Sequence, residues 1–576
     1  MFTFHCHICD KSMSCGHMGI ADVERHVSGK QHRLKANRMK SQEPLHRDQT
    51  VTDKVGQADV KVATLLSQNN IPLDLADELT PLFPDIFPDS KISKDFSSKR
   101  TKTACITNTE VTPYIEGEMI PNVVRHPFSL VIDGSSDNGM EEINPMRVRI
   151  FDSGQVSMQF LDLQCVSTED TLQTLFLKMD DALCRHLIEW ENCVGVAVDN
   201  TSLTVCGDPI ETHVRDKNPA TYIVDCGCHI VHNTASKASD AFEQVSGFSV
   251  EEMATDLFHW FDNSTKQKMD PVQYHTFCDI TYQQAVKHVD TRWLNLETTV
   301  SRILQQYGSL KSYFLSKDDK APYFGRLRVL FEDPMTEVYL LFYQSALQTF
   351  LQFNSFLERE DPVIPIVHAQ MQSFLQKLAS KFVRVQTIKA AKGDFMNMHY
   401  KAPDVQLPDN SLFIGFGAKT LLNKLLNEGS ISGHQASKFY EGVRAFYSRA
   451  FSYTLGQLPL DDSLLRNAAF VNFRRRENAA LSEVEYFIDR FSALLPFQSP
   501  QEMDKLADEF SAYQLMNDEV VPQSVWSKAK VSEDGLHRLD VIWQHLSLLK
   551  APDNTLLLPR LSKVATLVLV IPHSSS

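Results

Sequence analysis

The sequence lacks the hydrophobic segments that secretion and membrane insertion require. Met1 is not followed by a basic start and an apolar run, so we expect no signal peptide. The longest apolar run near the end, residues 564–571, is interrupted by a threonine and is far too short to cross a bilayer. We therefore expect no contact with a membrane.

Cysteine is too sparse for a disulfide-rich secreted protein. Eleven cysteines, an odd number, are scattered through 576 residues, which argues against a disulfide framework and favours reduced, intracellular thiols. The hydrophobic content of 43% and charged content of 22% are typical of a globular protein. The length allows three or four domains.

Positive charge is also scarce, but it is concentrated near the start. The formal net charge is −15, which disfavours indiscriminate coating of nucleic acid. The stretch from Arg25 to Gln42 nevertheless contains no acidic residue and six basic ones, namely Arg25, Lys30, Arg33, Lys35, Arg38 and Lys40. This basic arm predicts local contacts with phosphate groups, because the distribution of charge matters more than its total.

The first residues contain four metal-ligand side chains in a regular order. Cys6 and Cys9 form a Cys-x2-Cys pair, and His26 and His32 follow with five residues between them. Zinc prefers four such ligands in a tetrahedron. A segment this small cannot bury a sufficient core, so metal binding would provide its folding free energy. The alternative is that these are free surface residues.

The stretch His26-Val27-Ser28-Gly29-Lys30-Gln31-His32 resembles the end of matrin-type zinc fingers, which share His-x-Ser-Gly-Lys-x-His. The resemblance implies a zinc finger over residues 1–40 that binds double-stranded RNA, DNA or protein. Sixteen residues separate Cys9 from His26, which is longer than usual in that family. His7, Cys15 and His17 are additional candidate ligands.

The region after the finger divides into a linker and a helical segment. Residues 41–58 are predicted to be a linker, because they are polar and without hydrophobic periodicity over most of that length. Residues 59–122 are predicted to be a small helical segment that could bind DNA, with short helices separated by prolines. The basic residues of this segment could equally be a solvated helical face.

Residues 123–200 alternate between strand and helix signals. An apolar strand over 127–132 ends at Asp133, and a second buried strand over 194–198 ends at Asp199. Between them, residues 146–151 and 156–161 alternate at period two, as half-buried antiparallel strands do. One helix is predicted to follow, with a single apolar face made of Leu172, Leu175, Phe176, Met179, Leu183 and Leu187.

Three strands, a helix and a fourth strand match the order of an RNase H-like core. In that core the first and fourth strands are neighbours, so Asp133 and Asp199 would meet at one edge of the sheet. A lone aspartate after a strand is more often a turn former or a helix cap. Two aspartates in this strand order favour a metal site for Mg²⁺ or Mn²⁺.

At this point the chain resembles a hAT-superfamily transposase from about Val60 onward. The motifs that carry the resemblance are Phe87-Pro88-Asp89-Ser90-Lys91-Ile92, Asp133-Gly134-Ser135-Ser136-Asp137, Val198-Asp199-Asn200, Cys226-x2-His229 with Asn233, and Arg292-Trp293. The resemblance implies that Asp133 and Asp199 are metal-binding carboxylates and that His229 lies near the scissile phosphate. It also implies that Arg292 and Trp293 handle flanking DNA.

Other interpretations of these residues remain open. The stretch from Cys226 to His229 could be half of a zinc site, although no second pair follows, or a buried cysteine beside a hydrogen-bonded histidine. Trp293 could stack on an unpaired base, although the apolar residues that follow it favour packing in a helical core.

The predicted fold class is therefore multidomain α+β. It combines a small zinc finger with an RNase H-like mixed α/β core that a large all-α insertion interrupts. The core would occupy residues 123–300, the insertion 301–555, and the return to the core 556–576. In relatives a Ser-x-x-Glu segment provides a third carboxylate, and the given sequence stops at Ser576 before such a segment. We expect residues 1–576 to lack strand cleavage for this reason.

The expected function is that of a transposase-derived nuclear zinc-finger protein that binds nucleic acid, preferentially DNA, without strand-transfer activity. One alternative is a fragment of an active hAT transposase. Another is an RNA-binding or adaptor protein that acts through the finger. The predicted nucleic-acid contacts are Lys30, Arg33, Lys35, Arg38 and Lys40 in the arm, together with Arg292 and Trp293. A homo-oligomer is compatible with the sequence.

Overall fold

The computed structural model describes most of the chain in two compact units, Met1–Met119 and Ile120–Ser576. The residues described are 3–6, 9, 11–14, 20–30, 32, 50–69, 71–132, 134–137, 141–167, 172–198, 210–224, 226–264, 296–316, 321–531 and 535–574. Among the described helices, none is both long and apolar enough to cross a membrane.

The first unit begins with a small hairpin and a helix. Strands β1 (Thr3–Cys6) and β2 (Lys11–Ser14) pair antiparallel, with Cys6 opposite Lys11. Helix α1 (Ile20–Ser28) follows and carries an ion pair between Arg25 and Asp22, 3.6 Å apart.

Five further helices follow in the chain. They are α2 (Val51–Gln68), α3 (Leu75–Ile86), α4 (Lys91–Asp95), α5 (Arg100–Ile106) and α6 (Thr112–Arg125), with a π-helical turn over Thr107–Val111. Helix α2 begins inside the stretch predicted as a linker (41–58). The cause is a capping box in which Thr50 and Asp53 satisfy each other's backbone N–H groups.

The second unit is built on a mixed six-stranded sheet. Its strands are β3 (Phe128–Ile132), β4 (Ser135–Asp137), β5 (Glu141–Asp152), β6 (Gln155–Ser167), β7 (Cys193–Val198) and β8 (Tyr222–Val224). Strand β5 pairs antiparallel with β6 on one side and with β3 and β4 on the other, while β3, β7 and β8 are parallel. The hairpin between β5 and β6 turns at Ser153 and Gly154, both with positive φ.

The two central strands are buried and, apart from Ser129, apolar. Every residue of β3 and β7 is inaccessible or nearly so, as expected of parallel strands covered on both faces. The register places Ile132 directly opposite Val198. The predicted adjacency of the first and fourth strands is therefore confirmed.

Three helices connect or flank these strands. They are α7 (Leu172–Arg185), α8 (Ile210–Lys217) and α9 (Gly227–Ser246). The prediction that the apolar face of helix α7 extends to Leu187 is wrong. Helix α7 stops at Arg185, and Leu187 has a φ of 56° and is 80% exposed, because the chain reverses there toward strand β7.

A large helical body makes up the rest of the second unit. Its helices are α10 (Val250–Ser264), α11 (Leu296–Gln305), α12 (Tyr307–Ser316), α13 (Pro322–Glu332), α14 (Met335–Leu357), α15 (Ile364–Ser380), α16 (Val385–Ala390), α17 (Phe416–Asn427), α18 (Gly433–Gln457), α19 (Ser463–Asn467), α20 (Leu481–Arg490), α21 (Pro500–Gln514), α22 (Gln523–Ala529), α23 (Leu539–Ser547) and α24 (Pro559–Val570).

The centre of this body is an aromatic cluster between α9, α14 and α18. Phe242 of α9 stacks on Phe342 of α14 at a ring distance of 5.3 Å. A Cβ at Gly442 of α18 would lie 3.2 Å from the Phe242 ring, so this glycine permits the close approach of the two helices. The helical body thus includes α9 and begins before residue 301, the predicted start of the insertion.

Helix α24 covers the sheet. It packs against β3, β5 and β7, and Pro572 just beyond it lies so close to Gly195 that a Cβ there would be 2.6 Å from the proline ring. Because helix α24 lies over the sheet, the side chain of Arg149 on β5 is buried. The period-two pattern predicted one solvent-facing side for this strand, yet Arg149 is only 2% exposed.

A second polar contact joins the sheet to the helical body. Asp540, at the start of α23, is fully buried, accepts a 2.8 Å hydrogen bond from the backbone N–H of Val156 on β6, and pairs with Arg538 at 2.6 Å. Arg538 in turn lies 3.8 Å from Asp361. The carboxylate of Asp540 therefore accepts a hydrogen bond from the backbone of the sheet and also neutralises the charge of Arg538.

We predict that Asp540→Ala destabilises the second unit by about 3–5 kcal/mol, because it leaves a partly buried guanidinium and a buried N–H group without their acceptor. The midpoint of urea unfolding measures this loss. Asp461→Ala is the matched control, since Asp461 also pairs with an arginine but is exposed, and it should change stability by less than about 0.5 kcal/mol. Equal effects of the two substitutions would contradict the prediction.

Candidate metal centre

The hairpin β1–β2 brings two thiols together. Cys6 ends strand β1, and the backbone N–H of Cys9 donates a 3.2 Å hydrogen bond to the carbonyl of Cys6. This tight turn keeps both side chains on the same side of the hairpin. Cys9 is buried and Cys6 is partly buried.

Helix α1 contributes the first histidine, and the chain just after it contributes the second. His26 lies in the last turn of α1, and Gly29 donates from its backbone N–H to the carbonyl of His26 at 3.0 Å. His32 follows and is 7% exposed. The two imidazole rings meet edge to face, with centroids 4.9 Å apart.

The four side chains converge on one point. Nδ1 of His32 lies 3.1 Å from Nε2 of His26, 3.4 Å from Sγ of Cys6 and 3.6 Å from Sγ of Cys9. All four ligand atoms are within 4.8 Å of one another. Zn–N and Zn–S bonds of about 2.0–2.3 Å place neighbouring ligand atoms of a tetrahedron roughly 3.3–3.8 Å apart.

These distances fit a four-coordinate ion. We call Cys6, Cys9, His26 and His32 the Cys–His cluster, and it could hold a metal such as zinc. Among the described residues, the Cys–His cluster is the one group of metal-ligating side chains with this geometry. Two thiolates and two imidazoles favour zinc over hard cations, which prefer oxygen ligands.

The predicted nucleic-acid contacts are described only in part. Lys30 is exposed beside the Cys–His cluster, where its ammonium group can reach a phosphate. Four other predicted contacts of the arm and both residues of the Arg-Trp pair lie outside the described residues, namely Arg33, Lys35, Arg38, Lys40, Arg292 and Trp293.

The carboxylates predicted at the sheet edge, Asp133 and Asp199, also lie outside the described residues. The residues that precede them are described, and Ile132 is paired with Val198 across parallel strands. Strand β8 ends at the same edge, and Cys226 caps helix α9 just after it. His229 is half-buried in the first turn of that helix.

No protein-family model matches the chain, and a search of curated proteins likewise finds no match.

Several charged residues with structural importance were not predicted from the sequence. Asp540 and Arg149 are buried through contacts with segments that are distant in sequence. Local sequence patterns do not indicate which charged residues become buried and paired in the fold.

We predict that the Cys–His cluster folds only with metal. A peptide of residues 1–40 should gain helical circular dichroism on addition of zinc and lose it in chelator, because the hairpin and one helix bury too little apolar surface alone. Cys6→Ser or His32→Ala should abolish the gain.

Cys105→Ser in the full chain is the matched control, since Cys105 is an exposed thiol far from the cluster in sequence, and it should leave the zinc content unchanged. Identical spectra of the 1–40 peptide in zinc and in chelator would rule out a metal-dependent fold.

Proposed function

We propose that the protein is a transposase-derived zinc-finger protein that binds DNA through its N-terminal finger and acts in the nucleus. The observation that carries this proposal is the convergence of Cys6, Cys9, His26 and His32 at distances that suit tetrahedral zinc. Metal binding would fix helix α1 in the finger, and the basic arm follows the ligands in sequence. Exposed Lys30 beside the ligands supports a phosphate-binding surface there.

We further infer that the sheet of the second unit is an RNase H-like core. The strand order supports this inference, because β3, β5 and β6 are antiparallel neighbours and β3, β7 and β8 are parallel neighbours. The described residues between β8 and helix α24 are mainly helical, which supports the insertion that the hAT resemblance implies. The family assignment itself rests on the sequence motifs.

A divalent-ion site at the sheet edge is the second part of the proposal. Asp133 and Asp199 follow the paired residues Ile132 and Val198, which supports their proximity. Two carboxylates can bind Mg²⁺ or Mn²⁺, but a two-metal reaction needs carboxylates on both sides of the metal pair. We therefore propose that this edge of the sheet binds a divalent ion.

We predict that residues 1–48 bind duplex DNA with a steep dependence on salt. The logarithm of the affinity should fall with the logarithm of salt concentration by about 0.9 for each phosphate contact. Replacing Lys30, Arg33 and Lys35 by Gln should flatten this slope, which fluorescence anisotropy measures between about 50 and 200 mM salt.

Lys11→Gln is the control, because Lys11 is an exposed lysine on β2 outside the arm, and its slope should equal that of the wild type. An unchanged slope in the triple variant would contradict phosphate binding by the arm. Tighter binding of double-stranded RNA than of DNA under the same conditions would favour the alternative of an RNA-binding protein.

We predict that residues 1–576 bind Mn²⁺ weakly. Binding should be detectable by calorimetry with the zinc-loaded protein and should disappear in Asp133→Ala and Asp199→Ala. Asp137→Ala is the matched control, since Asp137 belongs to the neighbouring strand β4. Robust Mn²⁺-dependent nicking that is lost in Asp199→Ala would instead identify an active nuclease.

A further inference from the structure

A surface cavity in the helical body combines a cation with an aromatic ring. Its volume is about 140 Å³, and its polar lining comes from Asn472, Arg474, Trp526 and His537, with Leu539 and Ile542 among its apolar residues. Arg474 is exposed and Trp526 is half-buried, so solvent reaches the cavity from the side of the arginine.

Only one arginine of the run Arg474-Arg475-Arg476 is available to a ligand. Arg475 forms two hydrogen bonds to the carboxylate of Glu483, at 3.1 and 3.2 Å. Arg476 is 4% exposed and pairs with Asp518 at 2.8 Å. Within the described part of the chain, Arg474 has no carboxylate partner, and its guanidinium lies 5.1 Å from the centre of the Trp526 ring.

Among the described residues, the cations Arg474 and Lys530 lie near His537 at this cavity. His537 meets the edge of Trp526 at a ring distance of 5.0 Å and is bridged to Lys530 in the backbone. Partial burial, together with the charges of Arg474 and Lys530, lowers the pKa of His537 below its usual value. The imidazole is therefore neutral at pH 7 and offers one hydrogen-bond donor and one acceptor, while the neighbouring cations attract an anion.

The size of the cavity limits the ring that can enter. A cavity of roughly 150 Å³ accommodates benzene, and the observed volume of about 140 Å³ is similar. Drug-sized ligands need about 300 Å³ or more. A single six-membered ring fits, whereas a fused two-ring purine would extend outside.

We propose that this cavity binds an unpaired pyrimidine nucleotide, with the base against Trp526 and the phosphate on Arg474. Stacking on an aromatic ring is a general way to hold unpaired bases, and arginine is well suited to phosphate. His537 can hydrogen-bond to the polar edge of the base. The inference rests on the proposed nucleic-acid binding and adds a contact for single-stranded nucleic acid far from the finger in sequence.

The test uses the zinc-loaded full chain and tryptophan fluorescence, with tetrathymidylate as the probe. We expect saturable quenching that depends on Trp526 and is absent in Trp526→Phe, which retains the other four tryptophans. Arg474→Gln should weaken binding by about tenfold or more, as expected for loss of a charge-assisted hydrogen bond. Tetra-adenylate should bind more weakly than tetrathymidylate.

Arg449→Gln is the matched control. Arg449 is exposed and lies 5.8 Å from the Tyr453 ring, so it is an arginine–aromatic pair that does not line this cavity, and its removal should leave quenching unchanged. Cys6→Ser should also leave it unchanged, which separates this site from the finger. If residues 1–48 fail to bind nucleic acid while quenching persists, the proposed function fails and the cavity assignment stands.

Three results would overturn the inference. The first is the absence of any quenching difference between the wild type and Trp526→Phe. The second is equal affinity for inorganic phosphate, which would indicate a simple anion site. The third is tighter binding of a phosphotyrosine peptide than of tetrathymidylate, which would indicate a protein partner. Because Arg474 is exposed, Arg474→Gln should fold normally, so its affinity remains measurable even if Trp526→Phe is unstable.

Discussion

Three parts of the second unit meet at the buried cation of Arg149. The guanidinium of Arg149 on strand β5 donates to the carbonyl of Glu360 at 3.0 Å and to that of Leu569 at 3.4 Å. Leu569 is in the last turn of helix α24, where carbonyl groups have no partner within the helix and a positive charge is favourable. Burial lowers the pKa of Arg149 to about 10, so the side chain stays charged at neutral pH. One residue thus joins the sheet, a loop of the helical body and the covering helix.

The two ends of the chain are stabilised by different means. Around the Cys–His cluster, two short strands and one helix bury little apolar surface, so their stability would come from metal coordination. Near residue 560 the stabilisation is ionic and hydrophobic. Glu509 accepts hydrogen bonds from the backbone N–H groups of Arg560 and Leu561, at 2.8 and 2.9 Å, and thereby caps helix α24. Chelator should therefore affect the first region and not the second.

The strongly local signals in the sequence were sufficient for much of the fold. Mainly apolar runs identified β3 and β7, and period-two alternation identified β5 and β6. The spacing of Cys6, Cys9, His26 and His32 predicted four side chains that converge in the structure and could hold a metal. These predictions depend on neighbours that are close in sequence.

The errors occurred where distant or subtle contacts decide the outcome. Arg149 was expected to face solvent on a half-buried strand, but helix α24 covers it. The cap formed by Thr50 and Asp53 starts a helix inside a polar stretch. This stretch was predicted to be a linker because it lacks hydrophobic periodicity. Leu187 continued the helical pattern in sequence, yet the helix ends at Arg185 and Leu187 itself has a left-handed backbone conformation. None of these outcomes follows from hydrophobic periodicity alone.

The cover provided by helix α24 has a consequence for synthesis of the protein. The contact between Arg149 and Leu569 spans 420 residues, so a ribosome must translate nearly the whole helical body before the sheet can be closed. Until then one apolar face of β3 and β7 is open to solvent, and closing so long a loop is slow. Nascent chains should consequently be most vulnerable to aggregation, and most dependent on chaperones, late in translation.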